Sequence, residues 1–178
     1  DYYWLEDIQV LTARQFPDEP DRGVILGAKG GHNAESHNHN DIGNFVMYLD
    51  GTPMLVDAGT ARYTRKTFSR ERYTIWTMRS LWHNCPIVNG CEQLPGEAYK
   101  AENVALIAEN GLRGMSLDIA PAYPPEAKLA SLARRITMTE DGVVSLTDQL
   151  NFNGDGPHSF TEVFLTQAQV EMLRPGLV

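Results

Sequence analysis

Cysteine is scarce in this chain, because only Cys85 and Cys91 occur among its 178 residues. Two cysteines are too few for a disulfide scaffold, and the residues alone leave both a bridge and two free thiols open. Long apolar runs are also missing, since no segment approaches the ~20 residues that cross a bilayer. No secretory apolar segment follows Asp1, so we expect that any targeting signal was removed or was never present. The net charge of -8 excludes a nucleic-acid footprint spread over the whole surface.

Helical periodicity is weak, and Tyr123–Ala133 is the best helix candidate. Asn-Gly and Asp-Gly pairs instead recur beside short apolar runs, and such pairs suit two-residue hairpin turns. Their first residues are Asp50, Asn89, Asn110 and Asp141. The runs predict eight strands: Gly23–Ala28, Gly43–Leu49, Met54–Val56, Val104–Ala108, Gly114–Ile119, Leu132–Met138, Val143–Leu150 and Ser159–Leu165. With 42% apolar residues to fill a core, this pattern predicts one all-β domain, an antiparallel sandwich with little helix.

Histidines are concentrated in one part of the chain, since four of the five lie between residues 32 and 83. If the run around them is a strand, His37 and His39 share one face. Two imidazoles on a face are a common half of a metal site, and zinc then needs one or two further ligands. Asp57, after an apolar strand, and the isolated His83 are candidates. From residue types alone, a metal site and a set of hydrogen-bonded surface histidines are about equally supported.

Positive charge is also localised. The 18 residues from Arg62 to Arg79 carry a net charge of +5, while the other 160 residues carry -13. A basic strip on an acidic protein favours a small or polymeric anionic ligand, and a solvated loop that balances nearby acids explains it equally well. Two tryptophans of this region, Trp76 and Trp82, are expected in the core rather than against a sugar.

Between residues 24 and 93 the chain contains an ordered set of motifs. They are Gly31-His32-Asn33, Ser36-His37-Asn38-His39-Asn40-Asp41, Phe45, Tyr48, Gly51, Pro53-Met54-Leu55-Val56-Asp57-Ala58-Gly59-Thr60, Tyr63, Arg72-Tyr73, Ser80, His83-Asn84 and Val88-Asn89-Gly90. This set resembles the heparinase II/III-like family of polysaccharide lyases. Asn38 departs from the family pattern, because many members have glycine there, and the two flanking histidines are kept.

The resemblance implies the C-terminal antiparallel β-sandwich of an enzyme whose N-terminal part is a helical toroid. Residues 1–178 would then be one domain of a larger chain, and the toroid would be its partner in forming the substrate cleft. The implied reaction is β-elimination on a uronate-containing anionic polysaccharide, with no nucleic-acid or membrane partner. We expect the isolated domain to be inactive and its parent to be periplasmic or secreted, with the cytoplasm as the alternative.

The same resemblance implies roles for individual residues. His37 and Tyr63 would face the cleft as catalytic residues. A structural zinc would be held by three ligands, His39, Asp57 and His83. Contacts with the carboxylates or sulfates of the substrate would come from Arg62, Arg65, Arg72 and Asn38. Guanidinium groups suit both anions, because they bind them through two parallel hydrogen bonds.

Two other function classes stay open on the sequence. One is a carbohydrate-binding or structural β-sandwich that keeps the lyase scaffold without turnover. The other is a cupin-like, metal-dependent hydrolase that uses His37, His39 and His83 around a catalytic metal. Formation of an unsaturated uronate product distinguishes the lyase from the binding domain, and turnover lost on chelation and restored by metal alone identifies the hydrolase.

Overall fold

Residues 1–174, the part that the computed structural model describes, form an all-β domain. The strands are β1 (Tyr2–Leu5), β2 (Val10–Arg14), β3 (Val24–Lys29), β4 (His32–Asn33), β5 (Phe45–Leu49), β6 (Thr52–Leu55), β7 (Ile87–Val88), β8 (Gly96–Lys100), β9 (Glu102–Glu109), β10 (Leu112–Asp118), β11 (Leu129–Met138), β12 (Val144–Phe152) and β13 (Phe160–Thr161). Short 3-10 helices occupy Glu6–Ile8, Arg65–Phe68, Arg72–Thr74, Trp76–Met78, Ser80–Trp82, Ala120–Ala122 and Pro125–Ala127. The predicted all-β class with little helix is confirmed.

Two antiparallel sheets pack face to face. One has five strands in the order β1-β2-β3-β5-β6, and the other has four in the order β12-β11-β10-β9. Side chains alternate along each strand, so Leu11 and Leu26 of the first sheet meet Met115, Leu132 and Ile136 of the second in one core. Two short ladders, β13-β7 and β4-β8, complete the fold. The predicted antiparallel sandwich is therefore confirmed.

Predicted turns set the register of several hairpins. Asn110-Gly111 joins β9 to β10, and Asp50-Gly51 joins β5 to β6. All four of these residues have a positive φ, a conformation that glycine and asparagine adopt at low cost. The turn chemistry read from the sequence therefore fixes which residues of these strands face the core.

The best helix candidate of the sequence, Tyr123–Ala133, does not form an α-helix. Its first part contains only the 3-10 turn Pro125–Ala127, which ends at Lys128 because that residue has a left-handed φ of 54°. β11 then begins at Leu129, and its inward residues continue the core.

The strand predicted over Ser159–Leu165 is shorter than expected and is limited to β13. The segment after β13 bonds elsewhere: the N–H of Leu165 donates to Oδ1 of Asn84 at 2.7 Å, and its carbonyl accepts the N–H of Val56 at 2.9 Å. Strands β1, β2 and β8 are not among the predicted strands. In β1, the exposed side chains of Tyr3 and Leu5 blur the alternation of apolar and polar residues.

Cys85 and Cys91 are free thiols, which settles the question that the sequence leaves open. Burial raises the pKa of the Cys85 thiol, so its side chain behaves as a small core residue. Among residues 1–174, no helix is long and apolar enough to cross a membrane.

Candidate functional site

The histidine loop, residues 34–44 between β4 and β5, carries both His37 and His39 but directs their side chains to different places. His37 lies in a turn with a φ of 60°, and the loop contains no strand. The predicted shared strand face is therefore wrong, because the left-handed residue changes the direction of the chain at His37. The ring of His37 lies against Tyr63 and Phe68, whereas the ring of His39 lies beside His83.

His39, Asp57 and His83 come together in the fold. One potential ligand atom of each lies within 4.8 Å of those of the other two. The three residues come from the histidine loop, from the chain just after β6, and from the residue that follows the 3-10 helix Ser80–Trp82. Nδ1 of His83 lies 2.7 Å from Oδ2 of Asp57. Among residues 1–174, no other three such side chains meet at this spacing, and His37 lies outside the group.

The surroundings of this group fit a bound metal ion. Nε2 of the fully buried His83 lies 3.0 Å from the carbonyl oxygen of Thr77 and must donate to it, which leaves Nδ1 directed at the group. Metal-bound histidines usually make such a bond through their second nitrogen. Asp57 accepts hydrogen bonds of 2.7 Å from the Asn44 side chain and from the Gly59 backbone N–H. Two imidazoles and a carboxylate are a donor set that suits zinc.

The electrostatics of the group favour the protonation states that a metal requires at Asp57 and His39, whereas they favour the protonated form of His83. Burial raises the pKa of Asp57, but the hydrogen bond and charge of His83 outweigh it, so the pKa falls to about 2. Burial and the nearby His83 lower the pKa of His39, which favours the neutral imidazole. Burial lowers the pKa of His83, yet its bond to Asp57 and the charge of Asp41 raise it overall. A metal ion would therefore replace the proton between His83 and Asp57.

His37, Tyr63 and Phe68 form an aromatic cluster at the surface. The rings of His37 and Tyr63 stack with centroids 5.7 Å apart and planes inclined by 25°. Phe68 meets both rings edge-on. Tyr63 remains 47% exposed, and His37 is also exposed. The two residues that the family resemblance implies as catalytic are therefore neighbours on an open surface.

Arg72 and Asn38 fasten the histidine loop. Arg72 is buried, and its guanidinium donates to the carbonyl oxygens of Thr67 at 2.7 Å and of Asn38 at 2.5 Å. The Asn38 side chain donates to the carbonyl of His39 at 2.9 Å and accepts a bond from the Tyr73 hydroxyl at 3.3 Å. These contacts show positioning roles, and direct contact of Arg72 or Asn38 with a substrate stays a prediction.

Only part of the basic strip is free to meet an anion. Arg62 and Arg65 are exposed, and neither forms an ion pair within the part of the chain that the structure describes. Arg79, in contrast, pairs with Glu92. The structure therefore leaves Arg62 and Arg65 available for the substrate contact that the sequence predicts.

Sequence reasoning misses the polar residues that support the site. Asn44 donates to Asp57 and accepts the backbone N–H of Asn84 at 3.0 Å. The buried side chain of Asn84 donates to the carbonyls of Phe45 and Val56 at 2.6 and 3.0 Å. A polar amide directly before the apolar strand β5 is the signal that points to Asn44. Thr77 contributes a backbone carbonyl, which its residue type does not reveal.

Comparisons with known proteins agree with this architecture. The family model described as Heparinase II/III-like, C-terminal, matches residues 24–173. A mutant of the heparan sulfate lyase HepC from Pedobacter heparinus is 18% identical with a TM-score of 0.68, over 88% of this chain and 23% of that chain. A structure of heparinase III is 16% identical with a TM-score of 0.65, over 89% and 23%. The comparison with curated proteins finds no match.

A third solved structure, the heparinase III BT4657 gene product with methylated lysines, is 14% identical with a TM-score of 0.63, over 88% of this chain and 22% of that chain. At these identities the structures show a shared fold, and this chain spans less than a quarter of each. The family model spans most of the chain and overlaps the motifs that carry the resemblance. The chain therefore belongs to the heparinase II/III-like family, whose C-terminal domain it represents.

Proposed function

We propose that this chain is the β-domain of a lyase that cleaves uronate-containing anionic polysaccharides by β-elimination. The observation that carries the proposal is the arrangement of the histidine loop. One histidine joins a His-Asp-His group suited to zinc, and the histidine two residues earlier stacks on an exposed tyrosine. Family membership supports the reaction class.

The chemistry assigns the exposed residues distinct tasks. A lyase removes the weakly acidic proton next to the uronate carboxylate and expels the 4-linked oxygen. The carboxylate must be neutralised by hydrogen-bond donors or cations, a base must take the proton, and an acid must protonate the leaving oxygen. In our proposal His37 neutralises the carboxylate or takes the proton. Tyr63, stacked beside it, donates a proton to the leaving oxygen or binds the sugar.

His39, Asp57 and His83 would hold the zinc, which supplies a structural cross-link when bound. Its ligands join the histidine loop, the end of β6 and the chain before β7. Because His37 lies two residues before His39, a fixed His39 also limits the movement of His37. Arg72 and Asn38 add hydrogen bonds to the same loop. The three ligands therefore position His37 without needing to touch the substrate.

The opposite wall of the cleft would come from an N-terminal helical toroid of the parent chain. The open surface around His37, Tyr63 and Phe68 is the side of the domain that this toroid would face. We further propose that the parent acts in the periplasm or outside the cell, where polymeric uronates are met.

The 178-residue chain alone is expected to fold but to show little or no lyase turnover. Catalysis by positioned groups falls steeply when one wall of the site is missing. The test incubates the purified chain with heparan sulfate, alginate and hyaluronan, and follows the absorbance of the unsaturated uronate. In the full-length parent, His37→Ala and Tyr63→Phe should each lower turnover by about 100-fold or more.

Robust product from the isolated chain would contradict this division of the cleft. Full activity of both variants in the parent would overturn the catalytic roles of His37 and Tyr63. Oligosaccharide binding by the parent without any turnover would favour the carbohydrate-binding alternative.

Arg62 and Arg65 are expected to contribute to oligosaccharide affinity in a salt-dependent way. An exposed charged contact contributes up to ~1 kcal/mol, so the Arg62→Ala/Arg65→Ala variant should bind a uronate oligosaccharide roughly 5- to 30-fold more weakly at low salt. The difference should shrink at physiological ionic strength, because salt screens exposed charges. Titration calorimetry at two salt concentrations measures both effects. Arg135→Ala, which removes an exposed base from β11, is the matched control, and equal affinities of all three proteins at low salt would remove Arg62 and Arg65 from the site.

A further inference from the structure

Trp76 and Trp82 form an exposed aromatic pair to which the proposed function gives no task. Their ring centroids lie 5.1 Å apart, and the ring planes meet at 77°. The indoles are 51% and 41% exposed, so the expectation that both belong to the core is wrong. Large aromatic side chains that are adjacent and solvent-exposed are typical of a binding surface.

The backbone that carries the pair is held by side-chain contacts. Trp76 begins the 3-10 helix Trp76–Met78, and Trp82 ends the helix Ser80–Trp82. Between these helices, Arg79 pairs with Glu92, and the same carboxylate accepts the N–H of Leu81 at 3.3 Å. The two rings, inclined at 77°, form a corner on a backbone segment that does not have to be ordered when a ligand arrives.

The corner adjoins the candidate metal group. Thr77, which follows Trp76, offers its carbonyl to His83, and His83 itself follows Trp82. The backbone N–H of Asn40, next to His39, donates to the carbonyl of Met78 at 3.0 Å. The helices between residues 65 and 82 therefore carry Phe68, beside His37, near one end and the tryptophan corner at the other.

The exposed charges on this segment are mainly positive, with Glu71 as the single exposed acid and Phe68 as an exposed apolar residue. Arg65, Lys66 and Arg70 are all exposed there, while the protein as a whole is acidic. Lysine is usually depleted in a protein–protein interface, although arginine and aromatic residues are enriched there. Aromatic faces on a segment that also carries several exposed cations match a ligand with both apolar C–H faces and carboxylates, which is the chemistry of a uronate pyranose.

We propose that Trp76 and Trp82 form a sugar-binding subsite for a pyranose ring of the anionic polysaccharide, beside the His37–Tyr63 cluster. One indole stacks on the C–H face of the ring, and the other bounds its edge. The carboxylates of neighbouring sugars lie toward the exposed bases of the same segment. This inference rests on the proposed function for the class of ligand, but it concerns binding and requires no turnover.

Titration of the 178-residue chain with a saturated uronate hexasaccharide from alginate tests the subsite. We expect the ligand to quench tryptophan fluorescence, and we expect Trp76→Ala and Trp82→Ala each to weaken affinity about 5- to 10-fold. Quenching in the 178-residue chain reports on the subsite, whereas turnover of the His37→Ala parent reports on catalysis, so a failure of the subsite is distinguishable from a failure of the catalytic proposal. Tyr3→Ala, which removes a 71% exposed aromatic from β1, is the matched control and should bind normally.

Acrylamide quenching of tryptophan fluorescence provides a second test. In the full-length parent, acrylamide should still quench both indoles, and the hexasaccharide should protect them. The proposal is overturned if both tryptophan variants bind the hexasaccharide as tightly as Tyr3→Ala does. It is also overturned if acrylamide cannot reach the indoles in the free parent, because the pair is then covered by another part of the chain.

Discussion

His39→Ala is expected to abolish zinc binding and to remove the thermal stabilisation that zinc provides. Zinc that binds only the folded chain stabilises it by about 4 kcal/mol at 1,000 times its dissociation constant. For a domain of this size, that corresponds to a rise in Tm of about 8–16 °C. The wild type should show this rise on adding zinc and lose it with EDTA, whereas His39→Ala should respond to neither. Mass spectrometry of the native protein and melting curves measure both effects.

His37→Ala is the matched control, because it lies two residues away in the same loop but outside the His-Asp-His group. It should keep the metal and the zinc-dependent rise in Tm, and it should impair only the lyase reaction that we propose for the full-length parent. The assignment is reversed if His37→Ala loses the metal and His39→Ala keeps it. If the wild type binds no zinc after expression with zinc, the site does not exist.

The different roles of these two neighbouring histidines could not be predicted from residue type and spacing. The type and spacing of His37 and His39 predict only that both lie near one cavity, and the division between them comes from the family resemblance. Its physical basis is the left-handed conformation of His37, which sends the two rings to different partners. No sequence pattern identifies a histidine that adopts the left-handed conformation. The turn pairs Asp50-Gly51 and Asn110-Gly111 are recognisable by residue type, so their hairpins are predictable.

The support of the site was harder to predict than its ligands. Asn44 and Asn84 act through side-chain amides that bridge β5, β6 and the chain before β7. Such partners are far apart in sequence, and an asparagine is as common in a turn as in a buried network. The basic strip illustrates the same limit, because charge counting cannot tell the buried Arg72 from the exposed Arg65.

Arg134 is the residue that links this support to the core. Its guanidinium is fully buried and pairs with Asp148 at 2.6 Å and with Glu162 at 2.7 Å. It also donates to the carbonyl oxygens of Gly43 at 3.1 Å and of Asn84 at 2.9 Å. Gly43 precedes Asn44, and Asn84 follows His83. The strand pattern contains a signal for this burial, since Arg134 lies between the inward residues 132 and 136 of β11.

The balance of charge around Arg134 is uneven. Burial and the nearby charge of Asp148 raise the pKa of Glu162 to about 7. The guanidinium of Arg134 lowers this pKa but does not fully offset the two other effects. A carboxyl group whose pKa rises on folding contributes stability below its unfolded value of 4.5, and this contribution is lost as the pH rises through about 7. The free energy of unfolding should therefore depend on pH in this range, and removal of the guanidinium should strengthen the dependence.

Arg134→Met is expected to destabilise the domain by about 3–5 kcal/mol at pH 8, since removing one partner of a buried ion pair leaves the other partner uncompensated. The deficit should be smaller at pH 5, where Glu162 can take up a proton in the folded state. Urea unfolding at the two pH values measures both differences. Arg135→Met, on the exposed face of the same strand, is the matched control and should stay within about 0.5 kcal/mol of the wild type. If the two variants have equal stability at pH 8, the buried charge of Arg134 does not stabilise the fold, and its bond to the Asn84 carbonyl beside His83 is not important for stability.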